Sequence, residues 1–164
     1  MTGAERIVTG LESAGVTLAA SVPDTWIGRL MAAVRTSGRI RAVDVAREEE
    51  AVAIACGAAL CGVRAAVVIQ NAGLLNCGAV IASLVQLYRI PCFFLVSYRG
   101  DERDPVYYHA PKGERTEPTL AAWSIRHVRA GGPARIGAQI RQAVAWVEEA
   151  QASLALSFSA EDLA

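Results

Sequence analysis

Between Ile40 and Gly73 the chain reads IRAVDVAREEEAVAIACGAALCGVRAAVVIQNAG. Two short apolar runs, 40–45 and 65–69, flank a longer stretch that opens on three glutamates. Apolar runs of this length bounded by polar residues read as buried strands, and 48–60 between them has the length of a helix. Strand, helix, strand in that order is the repeating unit of a parallel sheet. The same rhythm extends outward both ways. Strands are expected at 17–22, 40–45, 65–69, 92–97, 125–129 and 153–158, and helices at 4–13, 26–36, 48–60, 77–88, 117–123 and 134–149. The expected fold class is α/β: one domain over 1–164, with three layers around a six-stranded, mainly parallel sheet. Asp24 is placed to cap the second helix, Gly62 to end the third, and Pro91 to separate the fourth from its strand. Residues 98–115 break the rhythm with Asp101, Glu102, Arg103, Asp104, two prolines, three tyrosines and His109. That polar stretch reads as a long functional loop.

A chain of 164 residues can bury one sizeable core. With 53% hydrophobic and 20% charged residues it is not disordered for lack of apolar material. Sixteen basic side chains balance sixteen acidic ones, so neither nucleic acid nor an anionic membrane is an expected partner. Mean hydropathy is +0.31, yet no apolar run reaches the roughly 18 residues of a bilayer span. The apolar surplus points to a subunit interface. The opening residues carry mixed charges rather than a basic-then-apolar leader, so a cytoplasmic location is expected. Cys56, Cys61, Cys77 and Cys92 lack C-x-x-C spacing and read as buried, reduced thiols. The two histidines and the cysteines lack zinc-ligand spacing, and no metal site is expected on this chain. Neither G-x-G-x-x-G nor G-x-x-x-x-G-K-[ST] occurs, which excludes the two commonest nucleotide-binding loops. His127 falls inside an expected strand and reads as structural.

In an open parallel sheet, ligands bind beyond the carboxyl ends of the strands. Polar residues gather there: Pro23-Asp24-Thr25, Ala46-Arg47-Glu48-Glu49-Glu50, Gln70-Asn71-Ala72-Gly73, Tyr98-Arg99-Gly100-Asp101, and then 109–113, which hold His109 and Lys112, the one lysine. Acidic residues in a first helical turn complement the helix dipole, so three glutamates need no function by themselves. The helix behind them, however, is apolar nearly all round, which predicts burial on every side and partly by another chain. A glutamate at its mouth is then poorly solvated and poised for a shifted pKa.

In their order and spacing, several segments resemble the pyrimidine-binding (PYR) domain of thiamine diphosphate enzymes, and within it the sulfopyruvate and phosphonopyruvate decarboxylases. They are Val22-Pro23-Asp24-Thr25, Arg47 to Ala51 with Gly57, Gln70 to Asn76, Tyr88-Arg89-Ile90-Pro91, and Arg99-Gly100-Asp101 followed by Pro111-Lys112-Gly113. The family glutamate lies nine residues before a helix glycine, which selects Glu48 over Glu49 and Glu50. The resemblance implies that the Glu48 carboxyl group hydrogen-bonds N1′ of the thiamine diphosphate aminopyrimidine, with Gln70, Asn71, Gly73 and Asn76 as further cofactor contacts. It implies substrate contacts from Thr25, Asp24, Arg99, His109 and Lys112. Asp24 stands where the family carries cysteine, and Leu75 where relatives tend to carry glycine. The family's Mg²⁺-binding Gly-Asp-Gly does not occur in this chain. A separate diphosphate-binding (PP) subunit holding Mg²⁺ is therefore implied, in a hetero-oligomer with the active site between the two kinds of chain. The implied reaction is decarboxylation of 3-sulfopyruvate to sulfoacetaldehyde. Alternatives are 3-phosphonopyruvate or another specialised 2-oxo acid, carboligation in place of protonation, and a noncatalytic interaction module that keeps only the fold.

Overall fold

The computed structural model describes residues 1–102 and 104–164; Arg103, which falls in the expected loop, lies outside the described residues. Six strands form one sheet: β1 (Leu18–Ser21), β2 (Arg41–Asp44), β3 (Ala65–Gln70), β4 (Phe93–Ser97), β5 (Arg126–Arg129) and β6 (Leu154–Phe158). Their order is β2-β1-β3-β4-β6-β5, and every pairing is parallel. All six lie within a residue or two of the expected runs. Apolar side chains on both faces of the central strands mark them so clearly because helices cover both sides.

The longer helices are α1 (Gly3–Ser13), α2 (Thr25–Ser37), α3 (Glu48–Leu60), α6 (Ala110–Ala122) and α7 (Pro133–Ala150). On one face of the sheet, Ile7, Leu11, Ile27, Leu30, Ile136 and Ile140 of α1, α2 and α7 pack on Ala19, Val68, Leu95 and Leu156. On the other, Val52 and Cys56 of α3 and Leu120 of α6 pack on Ala20, Val67, Ile69 and Phe94. Alternate residues of each strand thus feed opposite cores, as the two-residue period of a strand dictates. The edge strands β2 and β5 are the polar ones, with Arg41, Asp44, Arg126 and Arg129, and such charges protect a sheet edge from further pairing. No helix among the described residues is long and apolar enough to cross a membrane.

Three expectations need correction. The helix expected at 77–88 starts earlier and is broken into α4 (Asn71–Asn76), α5 (Gly78–Val80) and a π-helical turn, Ile81–Gln86. The eighteen-residue loop is shorter, because a 3₁₀ turn at Tyr107–His109 leads directly into α6 at Ala110. Pro111 occupies the first turn of that helix, where a missing N–H costs nothing, and Pro118 lies inside it. Cys61 is exposed rather than buried; Cys56, Cys77 and Cys92 are enclosed, and all four are free thiols. Helix α3 buries Ala51, Val52, Ala55 and Cys56, while Ala53, Gly57 and Leu60 on its outer side are exposed. Within this chain its burial is therefore one-sided.

Candidate active site

The order of the sheet reverses between β1 and β3, which places the exits of these two strands side by side. Open α/β sheets bind ligands at such a point. From β1 the chain passes through Val22 and Pro23 to Asp24, the N-cap of α2. Oδ1 of Asp24 accepts from the N–H groups of Trp26 and Ile27 at 2.9 and 2.6 Å. Oδ2 accepts from Gln70 Nε2 at 2.9 Å, Arg99 Nη2 at 3.1 Å and, more loosely, Ser97 Oγ at 3.4 Å. The exits of β1, β3 and β4 are thereby tied to one carboxylate. Arg99 lies over the Trp26 ring, its Cζ 3.4 Å from the centroid. The Asp24 and Arg99 side chains are 19% and 11% exposed, so their opposite charges largely cancel at this edge. Thr25, the first residue of α2, is exposed.

The three glutamates that open α3 divide the work. Glu50 reaches back to accept from the N–H groups of Ala46 and Arg47 at 3.0 and 3.2 Å. Glu49 pairs with Arg47 at 3.1 Å. Its own backbone N–H, and then Arg47, hold its carboxyl below the usual carboxylate range. Glu48 takes neither task. Half-buried, it extends over α4, and a Cβ built on Gly73 would run into its carboxylate. Glycine at 73 is what gives this carboxylate its seat. The Cys77 thiol donates to the Gly73 carbonyl at 3.3 Å, and it stays protonated because burial, followed by the charges of Glu49 and Glu48, pushes it up to about 12.

The remaining candidates separate into braces and edge residues. Asn71 is fully enclosed. Its Nδ2 donates to the Arg99 carbonyl at 2.8 Å and to Thr116 Oγ1 at 3.0 Å, and its Oδ1 accepts from the Arg99 N–H at 3.2 Å. It pins α4 to the exit of β4 and to α6. Asn76 is exposed at the end of α4. Lys112, in the first turn of α6, holds its ammonium 5.9 Å from the Tyr108 ring centre. His109 joins Asp104, a residue that sequence reading left among several loop acids, at 2.8 Å. No spacing in the sequence announces that pair, since it depends on how the loop folds. His127 lies in β5, bonded to Ser157 Oγ at 2.9 Å. Desolvation lowers its pKa, with Arg129 acting the same way and Glu117 opposing.

Two clefts indent the molecule elsewhere. One of about 1120 Å³ lies beside Tyr98, Glu117, His127 and Arg129. Another of about 700 Å³ lies at the amino ends of the strands, near Arg64, Tyr88 and Ile90. Glu48, Gly73, Asp24 and Thr25 line neither.

Comparison with known proteins identifies the family. Residues 1–115 match the family model of the thiamine pyrophosphate enzyme N-terminal TPP binding domain. Sulfopyruvate decarboxylase subunit alpha of Methanothermobacter thermautotrophicus is 36% identical over 121 residues, which cover 74% of this chain and 73% of that one. The subunit of the same name from Methanocaldococcus jannaschii is 29% identical over 160 residues, 98% and 95% of the two chains. Phosphonopyruvate decarboxylase of Streptomyces viridochromogenes is 36% identical over 111 residues, 66% of this chain and 28% of that protein. Among solved structures, a 2-oxoglutarate:ferredoxin oxidoreductase from Magnetococcus marinus superposes with a TM-score of 0.74 at 15% identity, covering 99% of this chain and 29% of the other. At that identity the likeness concerns the fold.

Proposed function

This chain belongs to the thiamine pyrophosphate enzyme family, as an N-terminal TPP-binding domain, and from that premise we propose that it is one subunit of a heteromeric thiamine diphosphate-dependent 2-oxo acid decarboxylase. The observation that carries the reading is the seat of Glu48, whose carboxylate lies over Gly73 while its two neighbours serve the helix start. The residues present fit the pyrimidine end of the cofactor, because the Glu48 carboxylate occupies the space that a Cβ on Gly73 would take and is spent on neither of the tasks of Glu49 and Glu50. Thiamine diphosphate, when bound, supplies the electron sink that lets carbon dioxide leave a 2-oxo acid.

The chain's own share of the work is placement and proton handling. With the cofactor bound, Glu48 would hydrogen-bond a ring nitrogen of the aminopyrimidine and serve its proton transfer. Gln70 and Asn76 are the amides at the mouth of the site, and Asn71 braces the turn beneath them. Thr25, at the exposed start of α2, presents a hydroxyl to a carboxylate, the N–H groups of Trp26 and Ile27 being taken by Asp24. Lys112 meets the anionic tail of the substrate, His109 lies alongside the substrate, and Asp24 keeps Arg99 in place behind them.

Relatives carry the name subunit alpha, which supports a second polypeptide that closes the site. We assign to it the diphosphate and Mg²⁺, since Gly-Asp-Gly does not occur here. The free thiols suit a reducing compartment, in keeping with a cytoplasmic location. The substrate of first choice is 3-sulfopyruvate, after the name shared by the relatives of matching length. 3-Phosphonopyruvate is second, after the Streptomyces relative.

The test is coexpression with a diphosphate-binding partner and measurement of carbon dioxide release from 3-sulfopyruvate, 3-phosphonopyruvate and unsubstituted 2-oxo acids. Glu48→Gln is expected to lower kcat at least 100-fold with assembly intact. A native complex that assembles tightly and turns over none of these acids refutes the decarboxylase reading in favour of the interaction module.

A further inference from the structure

The loop between β4 and the 3₁₀ turn is built around Asp104. Its carboxylate is 2% exposed. Oδ2 accepts from the Gly100 N–H and from His109 Nδ1, both at 2.8 Å, and Oδ1 accepts from the Val106 N–H at 3.0 Å. Burial opposes the charge on Asp104, but the Gly100 and Val106 amides, and then His109, hold its carboxyl below the usual range. An ionised carboxylate only accepts hydrogen bonds, so it requires a proton on Nδ1 of the imidazole. The nitrogen left to act is Nε2. The hydrogen bond to Asp104 uses Nδ1 and leaves Nε2 out, and the side chain is 13% exposed. The Tyr108 ring meets the imidazole edge to face at 4.7 Å and fixes its tilt.

The pair is anchored to the edge that carries the candidate site. Gly100 has φ +82°, and a Cβ there would run into the His109 carbonyl; one on Gly113 would run into the Gly100 carbonyl. These two glycines let the start of α6 press against the exit of β4. The residue before Gly100 is Arg99, which is bound to Asp24. Asp24, Arg99, Gly100, Asp104 and His109 therefore form one connected line of contacts.

Building on the function proposed above, we infer that Asp104 is a positioning residue that fixes the tautomer and direction of His109, so that Nε2 exchanges the proton the decarboxylation requires. The bond to the carboxylate carbon breaks, carbon dioxide departs, and one proton takes its place on the substrate carbon. That proton comes from Nε2–H of the protonated ring, the N–H electron pair returns to a neutral imidazole, and water restores the proton. Asp104 stays ionised throughout and touches no substrate. Its part is comparable to that of any carboxylate orienting a histidine base.

The first measurement is independent of partner, cofactor and substrate. Long-range ¹H–¹⁵N spectra of the labelled chain report the imidazole tautomers, and since the chain has two histidines, His127→Gln assigns both. The neutral His109 ring is expected to carry its proton on Nδ1, and Asp104→Asn to move it to Nε2. A native ring protonated on Nε2, or the same tautomer in the variant, overturns the inference. The second measurement uses the complex. His109→Gln is expected to lower kcat about 100-fold and Asp104→Asn at least about tenfold, with the double variant no slower than His109→Gln alone. A double variant whose losses multiply to about 1000-fold, or an unchanged kcat in His109→Gln, also overturns it. A native complex inactive on every 2-oxo acid removes the decarboxylase reading instead, while the tautomer still decides whether Asp104 governs His109.

Discussion

Gly73 and Glu48 define the site through what one lacks and the other leaves undone. A glycine inside a helix costs about 1 kcal/mol relative to alanine, so Gly73→Ala, judged by propensity alone, would stabilise α4. Its Cβ would instead run into the Glu48 carboxylate. The side chain can swing toward solvent at little cost to the fold, and in doing so abandons the position in which it would meet the cofactor. Gly73→Ala is thus expected to leave the thermal midpoint of the chain almost unchanged while kcat of the assembled enzyme falls about 100-fold, on the order of losing the Glu48 proton path itself. Parallel melting and turnover measurements check this. A variant that turns over normally would show that the seat on Gly73 is incidental. Cys77 is a poor alternative nucleophile, since burial keeps it a thiol.

Helix α2 shows how a departure from a family pattern is absorbed by an element. An aspartate at an anion-binding edge would repel substrate if it pointed outward. Instead Oδ1 caps the helix, and Oδ2 is shared among Gln70, Ser97 and Arg99. Asp24→Ala removes a cap worth about 1 kcal/mol and strands a guanidinium that is 11% exposed. Breaking such a pair costs about 3–5 kcal/mol. Asp24→Asn keeps the cap and is expected to be milder by about 1 kcal/mol, with both costs read from urea unfolding. Equal, negligible losses would mean the pair is ornamental. Asp24 was legible in the sequence as a cap, as were the six strands, because each is announced locally by an apolar run or a capping side chain. The broken helix after β3 was not. Gln70-Asn71-Ala72-Gly73 carries turn residues, yet it winds into α4 because the Asn71 amide is spent on Arg99 and Thr116, residues far away in sequence. The start of α6 was missed for a related reason. The helix was expected to begin at 117, while the glycines that seat its first turn, Gly100 and Gly113, act through contacts that no local pattern encodes.

Viewed as a whole, the chain exposes several large apolar side chains, and a group of them lies along α3 and its far end. The outward face of α3 exposes Ala53, Gly57 and Leu60, and near its far end Leu60, Leu87 and Tyr88 are 73%, 68% and 67% exposed. Gly57 is the informative position. A Cβ placed on it meets nothing within 4 Å, so no contact inside this chain requires glycine in mid-helix. We propose close approach by another polypeptide, on the helix that also carries Glu48. Two substitutions separate the intramolecular and intermolecular demands. Gly57→Ala is expected to stabilise the isolated chain by about 0.5–1 kcal/mol, measured by urea unfolding. Gly57→Arg is expected to leave the isolated chain folded and to abolish assembly with the diphosphate-binding partner, measured by size-exclusion chromatography with light scattering. If Gly57→Arg assembles like the native chain, the outer face of α3 is not where the second subunit sits, and these exposed apolar side chains serve some other contact.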